Sequence, residues 1–262
     1  MSGENEGLDQ LIGRAAKVIA GSERVAALTG AGISAESGVP TFRGPGGLWR
    51  NRRAEEVATP QAFEADPKFV WEFYNYRRNL LREVEPNPGH YALAELERVV
   101  PHFTLITQNV DGLHQRAGSR TVLEVHGNIW WVRCTRCGAE LDKTGERLGQ
   151  LPKCSQCGGL LRPAVVWFGE ALPPDVWRAA YQAAQDCHTF LVIGTSAMVQ
   201  PAAGLVEVAH WHNATIIEVN LETSQASSIV HIGLYGPAGE VLPRLIDQVK
   251  AQSRTTGGQQ ER

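Results

Sequence analysis

Residues 25–35, VAALTGAGISA, decide how the rest of the chain is read. Val25 to Leu28 is an unbroken apolar run, the pattern of a strand buried on both faces of a sheet, and it stops at closely spaced glycines. This reads as a parallel strand feeding a phosphate loop. Gly30, Gly32 and Ala35 match the G-x-G-x-x-A spacing, in which the first glycine permits a tight turn and the second lets backbone amides approach a pyrophosphate. The small third residue then allows close helix packing. Alone, the motif leaves a plain glycine-rich strand-to-helix turn equally open. An acidic residue ending a second strand is expected about 20 positions on. Here that region reads PTFRGPGGLW (40–49), a loop, which argues against an ordinary hydride-transfer dehydrogenase.

Further apolar runs follow at FTLIT (103–107), TVLEV (121–125), TFLVIG (189–194) and TIIEVN (215–220). Residues 8–21, 90–100 and 176–186 carry apolar residues at helical spacing. Buried strands alternating with helices predict an α/β fold, a doubly wound, mainly parallel Rossmann-like sheet. Two segments break the rhythm, 40–88 with a Gly/Pro/Arg loop and a helix, and 127–165 with paired cysteines. The expected division is a discontinuous large domain of 8–39, 89–126 and 166–252, and a smaller inserted domain of 40–88 and 127–165 with a helical part and a zinc part. Residues 253–262 read as a frayed polar tail.

Composition removes several function classes. The 262 residues carry 25 Lys+Arg against 28 Asp+Glu, a formal charge of −3, with no long basic run, so direct nucleic-acid binding is not expected. No window of about 18 consecutive apolar residues exists, so a helical membrane span is not expected either. The acidic amino-terminal stretch is unlike a secretory signal, which points to a cytoplasmic, reducing compartment where disulfides are disfavoured. Five cysteines need another explanation. Cys134-x2-Cys137 and Cys154-x2-Cys157, 16 residues apart, fit a four-thiolate zinc site, with a redox dithiol as the rival reading. Four protein ligands leave no open coordination position, so the metal would be structural. Cys187 lies outside the pattern and reads as a small buried hydrophobe.

Taken together, GAGISAESGVPTFRGPGGLW (30–49), TQNVDGLH (107–114), EVHGN (124–128), the cysteine pairs, VVWFGEALP (165–173), GTS (194–196), NLE (220–222) and YGPAGEVLP (235–243) resemble the sirtuin family of NAD-dependent protein-lysine deacylases. The motifs occur in family order and span about residues 25–243. The resemblance implies NAD as co-substrate, lying across the carboxyl ends of the strands. Gly30, Ala31, Gly32 and Ser34 would then hold the pyrophosphate side, and Phe42 and Arg43 would form a loop over the nicotinamide ribose. Gln108, Asn109 and Asp111 would line the nicotinamide pocket. Gly194, Thr195, Ser196, Asn220, Leu221, Glu222 and Ala238 would contact the adenosine half. His126 would be the general base. Attack of the acyl-lysine amide oxygen on the ribose carbon would expel nicotinamide. A ribose hydroxyl deprotonated by His126 would then take the acyl group, giving O-acyl-ADP-ribose and free lysine.

The segment 67–85 reads as a helix with Phe69, Val70, Phe73, Leu80, Leu81 and Val84 on one face and Arg77 near its middle, Tyr74 one turn earlier. An arginine there snorkels, pairs with an acid, or meets a ligand. The Tyr-x-x-Arg arrangement is similar to that of sirtuins accepting succinyl- and malonyl-lysine, which implies that Tyr74 and Arg77 bind the distal carboxylate. The acylated protein substrate would add its backbone beside 165–170, with Val166 and Phe168 as contacts. Two alternatives stay open at this point: ADP-ribosyl transfer to a protein nucleophile, and a non-enzymatic NAD-sensing or zinc-scaffold module.

Overall fold

The computed structural model of the chain describes residues 7–41, 48–49 and 52–257. It begins with α1 (Leu8–Ala20), whose Ile12, Ala15, Ala16 and Ile19 form the buried stripe, followed by β1 (Arg24–Thr29) and a five-residue α2 (Ala31–Ala35). The inserted stretch then supplies the two-residue strands β2 (Leu48–Trp49) and β3 (Arg52–Arg53), the short helices α3 (Ala54–Val57) and α4 (Pro60–Ala65), and the longer α5 (Pro67–Glu83). Thr59 and Asp66 start α4 and α5 by accepting hydrogen bonds from the amides of Ala62 and Phe69, with proline at the first turn of each. The chain returns to the sheet through α6 (Pro88–Val99), β4 (His102–Thr107), α7 (Leu113–Arg116) and β5 (Val122–Glu124). An antiparallel excursion follows as β6 (Gly127–Cys134), β7 (Glu140–Asp142) and β8 (Leu161–Val165). The last third is α8 (Pro174–Asp186), β9 (Thr189–Ile193), α9 (Gly204–Trp211), β10 (Thr215–Asn220), β11 (Ile232–Tyr235) and α10 (Ala238–Gly257).

The six-stranded sheet has the order β11-β10-β9-β1-β4-β5 and is parallel throughout. Counted from β5 in order of appearance in the chain, this is the 3-2-1-4-5-6 arrangement, with the winding direction reversing between β1 and β9. The expected α/β class is therefore the one observed. Successive residues of a strand face opposite sides. Ile217 and Val219 accordingly join a cluster with residues of α1, α6 and α10, while Ile216 joins one with residues of α8 and α9. A third apolar cluster unites Val70, Trp71 and Phe73 of α5 with Ile129, Val132 and Leu161 of β6 and β8, so the two rhythm-breaking segments meet in space.

In the last third of the chain, β11, α9 and α10 escape the sequence reading. β11 is four residues long, α9 follows a loop without a strong cap, and α10 contains Pro243, which interrupts the periodic signal although it sits close to the helix start. α10 also continues to Gly257, into the stretch from 253 read as frayed, where the Ser253 hydroxyl donates to the Val249 carbonyl. The packing of buried Val249 on the core carries the helix past the point where composition suggests fraying.

Candidate active site

Register brings the motif residues to one edge. Thr29 pairs with Thr107 and with Ile193, Ile193 with Val219, and Thr107 with Glu124, so all five strands end level. The loops that follow, starting at Gly30, Gln108, Val125, Gly194 and Leu221, rise side by side from the carboxyl ends. Open α/β sheets bind ligands in this crevice, at the reversal of winding.

The glycines are required there for a reason the motif does not state. A Cβ on Gly30 would lie 2.7 Å from the Thr195 Cβ, and one on Gly32 would lie 2.7 Å from the Gly194 carbonyl oxygen. The Gly32 amide donates to that same oxygen at 2.8 Å. Gly32 is therefore small because the segments following β1 and β9 touch, and its N–H is already committed within the protein.

Beneath these loops lies a buried polar network whose proton positions follow from the partners. The Ser34 hydroxyl donates to Asp111 Oδ2 at 2.8 Å, and Asn109 Nδ2 donates to the Gly30 carbonyl at 3.0 Å and to Ser34 Oγ at 3.2 Å. The Asn87 amide donates to His90 Nδ1, so His90 Nε2 carries the proton it shares with Ser34 Oγ at 3.3 Å. Thr29 sends its hydroxyl proton to Thr107, so it accepts from His114 Nε2 at 2.9 Å, leaving the buried His114 Nδ1 without a partner. Both imidazoles are neutral: burial lowers His90 to about 4 and pushes His114 well below the ordinary histidine value. Burial likewise raises the Asp111 carboxyl, opposed by hydrogen bonds from Leu113 and Ser34 and by the charge of Arg77. The sequence reading passed over His90 and His114; the end of TQNVDGLH is the signal that could have marked the second.

A second bonded chain crosses the edge of the sheet. Asn220 Nδ2 donates to the Thr195 carbonyl at 2.9 Å, and Gln108 Nε2 donates to Thr195 Oγ1 at 3.1 Å. His126 Nδ1 lies 3.0 Å from the Gln108 carbonyl oxygen, and the His126 carbonyl accepts from the Val166 amide at 2.8 Å. A carbonyl only accepts, so Nδ1 is the protonated nitrogen of His126 and Nε2 presents a lone pair. Burial lowers the pKa of this ring, with the bond to Gln108 acting in the opposite direction. Ser196, Leu221 and Glu222 are exposed on the neighbouring loops, Ala31 is half-buried at the start of α2, and Ala238 is buried at the start of α10 against Gly89. Phe42 and Arg43 lie outside the described residues.

Residues 166–170 depart from expectation. β8 ends at Val165, and the amides of Val166, Trp167 and Phe168 are spent on the His126 carbonyl, the Glu170 carboxylate and the Ala58 carbonyl. Phe168 is exposed all the same. On α5, the arginine at the centre of the buried face is Arg78, only 1% exposed, and not Arg77. Arg78 donates to the carbonyls of Ile129, Lys143 and Glu146 and lies over the Trp130 ring. Arg77 is half-buried, with its guanidinium 5.8 Å from the Phe73 ring centroid, and it interacts electrostatically with Tyr74 and Asp111. The Tyr74 hydroxyl accepts from Trp167 Nε1 at 2.8 Å.

The cysteine pairs converge as their spacing predicts. The four Sγ atoms all lie within 4.8 Å of one another, with Cys134–Cys157 at 3.4 Å and Cys137–Cys154 at 3.8 Å. Four thiolates about 2.3 Å from a tetrahedral zinc stand roughly 3.8 Å apart, so the residues fit the ion. Gly138 and Gly158 close the two knuckles at φ +73° and +71°, and their amides bond back to the carbonyls of Cys134 and Cys154. None of the five cysteines is in a disulfide, and Cys187 is buried apart from the cluster.

Sheet order, glycine loops at the winding reversal and a four-thiolate module together define a nucleotide-binding α/β protein with a structural zinc site. The chain belongs to the Sir2 family, whose model matches residues 30–201. The NAD-dependent protein deacylase 2 of Pyrobaculum aerophilum is 52% identical, over 92% of this chain and 96% of that one. Among solved structures, a Sir2 homolog–NAD complex matches with a TM-score of 0.87 at 47% identity, covering 92% of this chain and 94% of the other. Sir2Af2 bound to a myristoylated histone peptide matches with a TM-score of 0.76 at 37% identity, covering 94% and 99%.

Proposed function

We propose that this chain is an NAD-dependent protein-lysine deacylase that removes acetyl groups and also succinyl and malonyl groups. The observation that carries the reading is the state of His126: Nδ1 tied to the Gln108 carbonyl, Nε2 free to accept a proton, and a lowered pKa that keeps the ring neutral at physiological pH. Bound NAD would supply an activated glycosidic bond, whose cleavage releases nicotinamide and makes the ribose the acyl acceptor. Gly30, Ala31, Gly32 and Ser34 would face its pyrophosphate side, with Phe42 and Arg43 over the nicotinamide ribose. Gln108, Asn109 and Asp111 would hold the nicotinamide carboxamide. Asn109 has given its amide protons to Gly30 and Ser34, so its Oδ1 would serve as acceptor. Gly194, Thr195, Ser196, Asn220, Leu221, Glu222 and Ala238 would flank the adenosine. His126 would take the proton of a ribose hydroxyl. The peptide would run along Val166 and the exposed Phe168, with fewer main-chain bonds than a full added strand because the amides of 166–168 are already used.

The extension to acidic acyl groups rests on Tyr74 and Arg77. They lie one turn apart on α5, and the Arg77 guanidinium interacts with Asp111 of the nicotinamide pocket. A guanidinium and a phenol so placed would take a carboxylate through charge-assisted hydrogen bonds. ADP-ribosyl transfer to a protein nucleophile is not favoured, the relative sharing 52% identity being named a deacylase.

The test is nicotinamide release and O-acyl-ADP-ribose formation from one lysine peptide in acetyl, succinyl and malonyl forms. We expect turnover of all three, loss of about 10²- to 10⁴-fold in His126→Tyr, and selective loss of the acidic substrates in Arg77→Met. ADP-ribosylated protein as the main product would sink the deacylase reading. An unchanged acyl preference in Arg77→Met would sink the acyl-pocket assignment alone.

A further inference from the structure

We propose that Trp167 is a specificity-determining positioning residue, its indole N–H fixing the Tyr74 hydroxyl so that the phenol proton is offered to the acyl chain of the substrate. This rests on the reading of Tyr74 and Arg77 as the acyl-end pocket and adds the group that sets the polarity of Tyr74. Trp167 Nε1 is 2.8 Å from the Tyr74 hydroxyl. An indole nitrogen only donates, so the phenol oxygen accepts there and its own proton must go elsewhere. Burial holds that proton in place, raising Tyr74 to about 12, so the phenol is a neutral donor at any working pH.

The indole is itself locked. Trp167 is 2% exposed, between the half-buried Val166 and the exposed Phe168, so the three side chains alternate and the middle one turns inward. The Arg162 guanidinium stacks 3.4 Å from the indole centroid, and the Phe63 ring packs at 5.2 Å. Arg162 is held by both oxygens of Glu170, at 2.5 and 2.9 Å, and by the Val165 carbonyl at 3.0 Å. Glu170 closes the loop by accepting the Trp167 amide at 2.8 Å. A stacked cation fixed by hydrogen bonds from Nε and both terminal nitrogens leaves the ring little freedom to rotate. Phenylalanine at 167 would keep an aromatic face for Arg162 and remove the donor, together with part of the buried ring volume.

Steady-state kinetics on acetyl- and succinyl-lysine forms of one peptide, with wild type, Trp167→Phe, Tyr74→Phe and the double variant, test this. Trp167→Phe is expected to raise KM for the succinyl peptide about fivefold, the scale of one hydrogen bond. KM for the acetyl peptide and both kcat values should move less than about twofold, and Trp167→Phe should add nothing on the Tyr74→Phe background. The proposal is overturned by an additive double variant, or by an unchanged KM ratio in Trp167→Phe when Tyr74→Phe alters it. If Tyr74→Phe itself leaves the ratio unchanged, the acyl-pocket reading fails and the proposal with it. A readout independent of the stability of Trp167→Phe is the indole N–H proton resonance of Trp167, expected upfield in Tyr74→Phe relative to wild type. An unmoved resonance also overturns the proposal.

Discussion

His126, the proposed base, has its tautomer set by a carbonyl. The Gln108 oxygen commits Nδ1 to the proton, and the same geometry leaves Nε2 as the only basic nitrogen. The histidine itself was legible in EVHGN, but its tautomer was not, because that depends on which backbone group the sheet brings opposite the ring. His90 makes the point more strongly. Nothing in HYALAELERVV marks its first residue as other than the start of an amphipathic helix, yet the fold buries it against Ser34 and brings its ring 4.9 Å from that of His114. Its folded-state pKa of about 4, against the ordinary histidine value of 6.5, means the unfolded chain binds more protons between those values. Stability is therefore fully present above about 6.5 and falls as the pH drops toward about 4, by on the order of 3 kcal/mol for this group alone. Urea denaturation at pH 7 and pH 4.5 should show the loss, and His90→Gln should flatten it. Equal pH dependence in the variant would show that the ring is not desolvated as described.

At the scale of elements, α5 shows where periodicity stops being informative. A helical wheel places Arg77 near the middle of the apolar face, whereas the packed helix buries Arg78 and leaves Arg77 half-exposed toward Asp111. The difference comes from β6 and the 143–146 turn, which offer three carbonyl oxygens within 3.0 Å of the Arg78 nitrogens. Backbone carbonyls are invisible to a pattern of side chains. Arg78→Met should destabilise the protein by about 3 kcal/mol, since the buried acceptors lose their donor. Chemical denaturation measures it, and a loss under about 1 kcal/mol would mean that water replaces the guanidinium. The glycine loop carries a related lesson: Gly30 and Gly32 stood out as a phosphate motif, but contact with Gly194 and Thr195, some 160 residues away, is what forbids a side chain there.

For the whole molecule, the zinc module and the large sheet are joined next to His126, the proposed base. β6 runs from Gly127, next to His126, to the ligand Cys134, and it shares an apolar cluster with α5, which carries Tyr74 and Arg77. Removing the metal should therefore abolish deacylation although no ligand is catalytic. Hydrogen exchange of the zinc-free protein should lose protection in 127–165 while β1, β9 and β10 keep theirs, and zinc should restore both properties. Retained protection in 127–165 would refute a structural role. No helix among the described residues is long and apolar enough to cross a membrane. The sequence by itself determined the alternation of buried strands and helices, the four metal-binding thiols and the candidate base, because each is written in local spacing and residue type. Only the tertiary structure decided which histidines are neutral, which arginine is buried, and that Trp167 stands behind Tyr74. Those properties belong to groups brought together from distant parts of the chain, and they arise from burial and from backbone partners that no local pattern encodes.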